Sequence, residues 1–413
     1  MKLSRFGRVS LAFVVSVAMG LGMSSCGLGT IGFMWVLGTQ YNQIAGFKID
    51  HNTGNLTAIP QSPFSSGGTN PVSIVVRSGG RYVYVVNQGV DATATTPAVA
   101  GNIALFSVGN DGVLTFQLPY QSQGSHPVWA TTDSAGNFLY VLDQVAPDNS
   151  GNGSITVFAI DPNTGRLQLV PNQQIKDANG TQLTYFPVGS KPIMMRFAGQ
   201  SCLYTVNSGD QSVFPYSVGT AGQLTLTNNS TISTNAQQLT SISANGNFVY
   251  LTDAGATPAS PGGFILPYSS GTGCTLNTVT GGAVPNLPGT SNPVYSMSDS
   301  TGNFVYVVNR STTNAQSPAT SSISAFSVVS QTTGQLQPIP AGGTQNPYAV
   351  GAGPTCIVED PSFQYVYTSN NIDGTVTGKQ INKNSGQLSD LQRGSKFPAT
   401  GQATCLAVSG NVD

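Results

Sequence analysis

The chain carries very few charged side chains. Lysine, arginine, aspartate and glutamate together make up 8% of its 413 residues, whereas about 25% is usual for a globular protein. The formal net charge is −1, and the clusters of lysine and arginine that hold a phosphate backbone are missing. Nucleic acid is therefore not an expected partner, and Ser, Thr, Asn, Gln and Gly must wet most of the surface.

Glutamate and histidine are also scarce. Glu359 is the only glutamate, and there are two histidines. Long exposed helices with Glu–Lys pairing are therefore not expected. There is no HExxH or GxSxG motif, and no Cys/His spacing suited to zinc. The spaced glycines from Gly27 to Gly32 resemble a dinucleotide fingerprint in letters alone, because no strand precedes them. We expect neither a metal nor a cofactor.

The first 25 residues are predicted to be a lipoprotein signal peptide. Three basic residues precede an apolar run from Val9 to Met23, which is too short to span about 30 Å of hydrocarbon as a helix. The run ends in small residues before Cys26, which resembles the lipobox of bacterial lipoproteins. The resemblance implies a lipid on Cys26, with the membrane as a partner. The alternative is ordinary signal-peptidase cleavage, with Cys26 incidental.

Export follows from either form of cleavage. In a Gram-negative cell, a glycine at position 27 in place of an aspartate resembles the signal for the outer membrane. The expected location is therefore the outer membrane or the periplasmic side of a bacterial cell envelope.

One strand-like segment recurs seven times along the chain. It is rich in β-branched and aromatic residues, ends in Gly, Asn or Asp, and has no helical period. Its copies are Phe33–Gly38, Tyr82–Asn87, Phe138–Asp143, Cys202–Asn207, Phe248–Asp253, Phe304–Asn309 and Tyr365–Asn370. An apolar strand that usually starts at proline precedes each of the last six copies, and two further strands follow. Four antiparallel strands repeated every ~50 residues indicate propeller blades.

The chain ends predict how the ring closes. The first copy has no preceding strand, whereas Thr404–Ser409 forms an orphan strand near the C-terminus. The predicted fold is thus an all-β, seven-bladed β-propeller in which N-terminal strands and a C-terminal strand share one blade. The predicted organisation is a signal peptide over 1–25, a lipidated tether over 26–32 and a single propeller domain over 33–413, expected to be a monomer.

Four cysteines remain after Cys26, an even number for a compartment that permits disulfides. Cys356 and Cys405 occupy equivalent first-strand positions in neighbouring blades, so a disulfide between them would staple the ring. Cys202 and Cys274 fall in adjacent blades and would pair by elimination. Both pairings are hypotheses, because sequence does not fix connectivity.

The long connections all gather on one face, which we name the loop face. Binding residues are often carried on variable loops of a rigid scaffold, so this face is the predicted ligand-binding face. His126 and Lys191 precede first strands there, and Arg196 is a candidate anion contact. The second strands end at the same face in a ring of polar residues: Asn87, Asp143, Asn207, Asp253, Asn309 and Asn370. The alternative for this ring is a structural role, since such side chains commonly satisfy local backbone groups.

The repeated strands and the turn at Asp161–Leu167 resemble the seven-bladed lactonase family, which includes 6-phosphogluconolactonase-type enzymes within the wider group of YVTN-repeat propellers. In its hydrolytic members a His-Pro-His-like segment opens one blade, an Arg-His pair opens the next, and Asn-Glu follows a second strand. This chain keeps only His126 of the first, has Lys191-Pro192 at the second, and has Ser208 after Asn207. Much of the acid–base machinery is therefore absent.

Two functions stay open from the sequence. The first is a non-catalytic envelope propeller that binds a glycan, a small molecule or a protein. The second is a divergent lactonase, a carboxylic ester hydrolase, in which His126 acts as base and Lys191 or Arg196 stabilises the oxyanion. Whether the chain is an enzyme is undecided at this point, because a propeller fold implies no ligand by itself.

Overall fold

The recurrent aromatic segments form the second strands of seven antiparallel sheets in the computed structural model. The structure describes residues 29–176, 179–227, 232–258, 260–310, 321–340 and 346–410. The predicted signal peptide and the lipidation site at Cys26 lie outside these residues. Within them no helix is long and apolar enough to cross a membrane.

The strands run in chain order around the ring. Blade 1 begins with β1 (Thr30–Gly38), β2 (Gln43–Asp50), β3 (Leu56–Ala58) and β4 (Phe64–Ser65). Blade 2 contains β5 (Pro71–Val76), β6 (Tyr82–Val90), β7 (Val99–Val108) and β8 (Leu114–Tyr120). Blade 3 contains β9 (Ser125–Thr132), β10 (Phe138–Val145), β11 (Asn152–Ile160), β12 (Leu167–Leu169) and β13 (Phe186–Ser190). Blade 4 contains β14 (Pro192–Ala198), β15 (Cys202–Asn207), β16 (Ser212–Val218), β17 (Leu224–Leu226) and β18 (Ile232–Ser233).

The remaining blades follow the same plan. Blade 5 contains β19 (Leu239–Asn245), β20 (Phe248–Asp253), β21 (Phe264–Ser270), a short 3₁₀ helix (Thr272–Cys274), β22 (Leu276–Thr278) and β23 (Val284–Pro285). Blade 6 contains β24 (Pro293–Ser298), β25 (Phe304–Asn309), β26 (Ser322–Val328), β27 (Leu336–Pro338) and β28 (Tyr348–Ala349). Blade 7 contains β29 (Pro354–Glu359), β30 (Tyr365–Asn370), β31 (Thr375–Ile381), β32 (Leu388–Asp390) and β33 (Lys396–Pro398), and β34 (Ala403–Ser409) returns to blade 1.

The C-terminal strand closes the ring as predicted. Blade 1 has the strand order β3-β2-β1-β34, and β34 lies antiparallel to β1 with Val36 opposite Leu406. The innermost strand of blade 1 is therefore supplied by the opposite end of the chain. Because β34 follows blade 7 along the chain and is built into blade 1, it closes the ring at the seam between the last and first blades.

Most predicted strand bounds agree with the structure, and two features differ. The last four second strands have the predicted bounds, but β1 starts at Thr30, inside the segment assigned to the tether. Six blades also carry a short fifth strand that pairs with the third, while blade 2 has four strands only. These fifth strands have two to five residues, which is too short for a period-2 pattern to reveal.

Tyrosines of the second strands tie neighbouring blades together. The buried hydroxyls of Tyr84 and Tyr306 donate to the carbonyls of Gly165 and Gly386 in the next blade, at 2.7 Å and 3.0 Å. Tyr367 in blade 7 donates to Gly54 in blade 1 at 2.6 Å. The glycine of the turn between the third and fourth strands thus has two roles. Its backbone adopts the positive φ that the turn requires, and its carbonyl accepts the hydrogen bond from the tyrosine. This bond accounts for the second-strand tyrosine of blades 2, 6 and 7, whereas Tyr204 in blade 4 shares a hydrogen bond with the Ser270 hydroxyl.

Candidate functional site

The ring of polar residues at the second-strand ends is buried. The six side chains are at most 5% exposed. The amide of Asn87 donates to the Ser66 carbonyl at 3.1 Å, and the carboxylate of Asp253 accepts from the backbone N–H groups of Gln237 and Gln238. The side chains placed on the predicted binding face therefore anchor loops, and in this structure they are not presented to solvent. This placement agrees with the structural alternative for the ring.

Asp143 is the most deeply buried carboxyl of this ring. Burial raises its pKa to about 7, although hydrogen bonds from Ser122, Thr156 and the Gly124 backbone work in the opposite direction. The Ser122 hydroxyl lies 2.5 Å from Oδ1 and the Thr156 hydroxyl 3.1 Å from Oδ2. The carboxyl is consequently held inside the blade by two hydroxyl donors.

His126 and Lys191 occupy a backbone position that recurs in the blades. Both have φ in the left-handed region, at 55° and 48°, as does Asn70 at 59° before the first strand of blade 2. Asparagine tolerates this conformation better than other non-glycine residues. These two residues are thus first of all turn residues that introduce the innermost strand.

The His126 side chain lies against Asp91 at the loop face. Its Nε2 is 2.9 Å from Asp91 Oδ1, and the Asp91 side chain is 84% exposed. Both residues border a depression of about 310 Å³ with Gln121 and Pro127. The Lys191 side chain is exposed. Neither His126 nor Lys191 lines the cavity that contains Arg196, so the structure does not assemble the three predicted catalytic residues in one cavity.

Arg196 lies in a cavity of about 470 Å³ at the centre of the ring. All seven innermost strands contribute to its wall, from Ile74 in blade 2 to Val408 in blade 1. The wall also includes Asn245, the last residue of β19, and Ser300, which belongs to the turn between β24 and β25 and is exposed. The cavity therefore extends towards the face opposite the loop face, which we name the turn face.

Two aromatic rings hold the Arg196 guanidinium. Its central carbon lies 4.9 Å from the ring centroid of Trp129 and 5.9 Å from that of Tyr295. Nη2 donates to the Tyr295 hydroxyl at 2.5 Å. Burial raises the pKa of Tyr295 well above its usual value, so the phenol is neutral and accepts the bond. Contacts of a cation with aromatic faces contribute about 2 kcal/mol when desolvated.

No carboxylate neutralises Arg196 within the part of the chain that the structure describes. The ion pairs found there are His126–Asp91, Lys379–Asp390 and Lys396–Asp373. A guanidinium offers a planar fork of donors that matches a carboxylate. The cavity therefore has a cation with donors to spare.

Glu359 lies on the same cavity wall, towards the turn face. Burial raises its pKa to about 7, against the lowering effect of Ser300, whose backbone N–H donates to Oε2 at 2.8 Å. The charges of Asp299 and Asp360 raise the pKa further. A carboxyl group that titrates near neutrality is suited to proton transfer.

The cysteines divide into one disulfide and one pair of thiols. Cys202 and Cys274 form the disulfide that elimination had indicated, with 5.4 Å between their Cα atoms. Cys356 and Cys405 are buried free thiols in this structure, so the predicted staple is not formed. Their side chains are nevertheless in hydrogen-bond contact. The equivalent strand positions correctly indicated proximity but did not decide whether the two sulfur atoms are bonded.

Trp129, Tyr295 and Glu359 were not singled out from the sequence. A usable signal exists for the first two, because each is the second residue after a proline in the first part of an innermost strand. Serine, methionine or cysteine stands at that position in the other blades, where the strands begin at Pro71, Pro192, Leu239, Pro354 and Ala403. An aromatic ring at this inner position is thus a departure from the repeat.

The family described as "Lactonase, 7-bladed beta-propeller" has a sequence model that matches residues 31–184. These residues contain the N-terminal strands of blade 1, all of blade 2 and most of blade 3. The search of curated proteins gave no match. The match to the family model therefore supports the resemblance to the lactonase family over the N-terminal part of the ring.

Solved structures extend the similarity over the whole ring. The periplasmic gluconolactonase PpgL of Pseudomonas aeruginosa is 16% identical, with a TM-score of 0.68 over 93% of this chain and 100% of that chain. A protein from Bacteroides fragilis assigned as a 6-phosphogluconolactonase is 17% identical, with a TM-score of 0.66 over 94% and 100%. A Lactobacillus plantarum protein is 18% identical, with a TM-score of 0.65 over 92% and 100%. These likenesses show a shared fold.

Proposed function

Because the chain is a lactonase-like seven-bladed propeller, we propose that it is an exported, membrane-anchored binding protein that holds a small carboxylate-bearing molecule in its central cavity. The observation that carries this proposal is Arg196, a guanidinium held between Trp129 and Tyr295 without an acidic partner among the described residues. A cation that is fixed by aromatic rings and not neutralised by the protein attracts an anion of complementary shape.

The cavity dimensions favour a small molecule over a glycan chain or a protein. A volume of about 470 Å³ falls in the range of about 300–1,000 Å³ that is usual for small-molecule pockets. Its wall combines apolar strand residues with Arg196, Glu359 and serine hydroxyls. This mixture suits a compact polar acid such as a sugar acid.

The residues of the loop face do not favour hydrolysis, which supports binding without turnover. The resemblance to hydrolytic propellers keeps only His126 of the expected acid–base set, and the Asp91 that contacts it is almost fully exposed. Exposed charge pairs contribute little to electrostatic stabilisation because water screens them. The loop face is therefore poorly suited to stabilise the charge that develops during lactone hydrolysis.

Export and anchoring are supported by the N-terminal sequence. Its basic start, its apolar run and the small residues before Cys26 have the form of a lipoprotein leader. The P. aeruginosa propeller of the same fold carries the name of a periplasmic protein, so this fold is compatible with such a location. Globomycin treatment of the producing cell, followed by mass spectrometry of the N-terminal peptide, tests whether Cys26 is acylated.

Isothermal titration calorimetry on the full-length chain in mild detergent tests the ligand class. The probes are gluconate, galacturonate and, as the uncharged comparison, glucose. We expect the acids to bind and Arg196→Met to weaken binding about 10- to 100-fold, because a hydrogen-bonded charge pair contributes about 1.5–3 kcal/mol. His126→Ala is the matched control and should bind as the unmodified chain does. Equal affinity of Arg196→Met, or no binding of either acid, contradicts the proposal.

A divergent lactonase is the second candidate, and Glu359 is the observation that favours it. Its carboxyl has a pKa of about 7 and borders the same cavity as Arg196, which would provide a general base and an anion-stabilising group. Hydrolysis of glucono-δ-lactone and aliphatic lactones, corrected for the spontaneous rate, tests this reading. A lactonase of this design loses at least about 100-fold in kcat on Glu359→Gln. Turnover that survives this change but disappears with His126→Ala would place the reaction at the loop face.

A further inference from the structure

Two thiols from neighbouring blades meet at the seam of the ring. Cys356 lies on β29, opposite Ser369 in the ladder of blade 7. Cys405 lies on β34, directly before Leu406, which pairs with Val36 of blade 1. Cys356 comes two residues after Pro354 at the start of β29, and Cys405 comes two residues after Ala403 at the start of β34. The two side chains therefore reach the same level of the cavity wall, where they are in hydrogen-bond contact.

Small molecules have a route to this pair although it is buried. Cys356 is 2% exposed and Cys405 6% exposed. Cys405 nevertheless lines the central cavity, which continues to the exposed Ser300 at the turn face. A reagent small enough for the cavity can therefore reach Cys405, and Cys356 lies behind it in the same core cluster.

The surroundings make the two thiols unequal. Burial acts to raise the pKa of Cys356, but hydrogen bonds from the Cys405 thiol, the Leu406 backbone N–H and the Tyr295 hydroxyl, together with the charge of Arg196, hold it below its usual value. The pKa of Cys405 is raised well above its usual value by its contact with Cys356 and by burial. Such an asymmetry makes Cys356 the readier nucleophile and leaves Cys405 as the thiol that resolves a mixed disulfide.

We propose that Cys356 and Cys405 form a thiol–disulfide exchange site in the wall of the central cavity, whose substrate class is small disulfides. The Cys356 thiolate attacks one sulfur of the disulfide, a mixed disulfide forms, and the first thiolate leaves and takes up a proton. Cys405 then loses its proton and attacks the Cys356 sulfur. The Cys356–Cys405 bond forms, the second thiol leaves, and the two electrons given up by the protein have reduced the small disulfide.

The other cysteine pair differs from the pair at the seam in both bonding and position. Cys202 and Cys274 are already joined, and neither lines the central cavity. Exchange at the seam therefore requires no change in that disulfide. The exchange chemistry itself uses only the sulfur atoms, but it shares the charge of Arg196 with the carboxylate ligand proposed above.

Reaction of the full-length chain in mild detergent with bis(2-hydroxyethyl) disulfide tests the site. Samples are quenched by alkylation, digested and mapped by mass spectrometry, which separates the peptides of Cys356 and Cys405 from that of Cys26. We expect the unmodified chain to form the Cys356–Cys405 link, and Cys405→Ser to accumulate a mixed disulfide at Cys356. Cys356→Ser should react at Cys405 at least about 10-fold more slowly. Arg196→Met should slow the first step in the unmodified background.

Serine is a suitable replacement because Ser73 and Ser241 stand at the corresponding positions of blades 2 and 5. If either serine variant fails to give a cooperative melt, the unmodified chain is instead treated with substoichiometric reagent, and the site modified first is identified. Adducts at Cys356 before Cys405 support the proposal. Equal rates at both residues, or reaction only after denaturant is added, overturn it.

Discussion

Arg196 in blade 4 donates to the hydroxyl of Tyr295 in blade 6, with 2.5 Å between Nη2 and the phenol oxygen. The two residues come from blades that are not neighbours, so the bond crosses the central cavity. It fixes the guanidinium at a level where Trp129 from blade 3 covers one of its faces. The cavity wall is thus held in place by side chains as well as by the strands.

Replacing Tyr295 with phenylalanine should destabilise the fold through Arg196. The half-buried guanidinium would lose its acceptor, and an unsatisfied donor that is shielded from water costs about 1–3 kcal/mol. Chemical denaturation should therefore show a loss of that size in the free energy of unfolding. Tyr41→Phe is the matched control, because Tyr41 is 60% exposed and should change stability by less than about 0.5 kcal/mol. Equal losses for both variants would contradict this account.

Removing the disulfide between blades 4 and 5 should lower stability. The Cys202–Cys274 bond closes a loop with a sequence separation of 72 residues, and its loss frees the unfolded chain. The double change Cys202→Ser and Cys274→Ser should cost about 2–4 kcal/mol in guanidinium denaturation. The unmodified chain unfolded in the presence of reductant serves as the control and should show a similar loss. An unchanged midpoint would show that the bond constrains little.

Glu359 should make stability depend on pH near neutrality. Its pKa is raised in the folded protein from 4.5 to about 7, so the contribution is fully present below 4.5 and is lost as pH rises through 7. Urea unfolding should therefore show a smaller difference between pH 5 and pH 8 for Glu359→Gln than for the unmodified chain. Asp143 titrates in the same range but contributes equally to both proteins. An identical pH dependence would refute the assignment to Glu359.

Truncation of Leu406 should weaken the closure of the ring. Leu406 is 2% exposed and packs in a cluster with Met34, Val36 and Tyr367. Leu406→Ala should cost about 2–5 kcal/mol through lost burial and a residual cavity. Val329→Ala is the control, because Val329 is 52% exposed and should stay within about 0.5 kcal/mol. Thermal and chemical unfolding of both variants measure the difference.

The fold was predictable because each blade repeats the same local chemistry. The segment Tyr365–Asn370 alternates large and branched residues between turn formers, and its bounds agree with those of β30. The orphan strand near the C-terminus indicated closure before any contact was known. The fifth strands were missed, since pairs of residues such as Phe64–Ser65 carry no period.

The site was less predictable because the residues that face each other across the cavity are distant in sequence. The sequence indicates Arg196 as an anion contact, but nothing in it singles out its partners Trp129 and Tyr295. His126 stood out for its rarity, whereas its position is set by a left-handed backbone that recurs in the blades. The sequence thus indicated one cavity residue and one turn residue, and only the ring geometry separates them.

The start of β1 determines how the ring would stand on a membrane. Thr30 begins a second strand, so it lies at the turn face, where the Gly29 carbonyl accepts a hydrogen bond from the His51 backbone at 2.9 Å. Three residues lie between Thr30 and the proposed lipid on Cys26, a reach of at most about 14 Å over four Cα–Cα steps. The mouth of the central cavity at Ser300 opens on that same side. An anchored ring would therefore turn its cavity towards the lipid headgroups, and a ligand would enter through the narrow layer of water between protein and membrane.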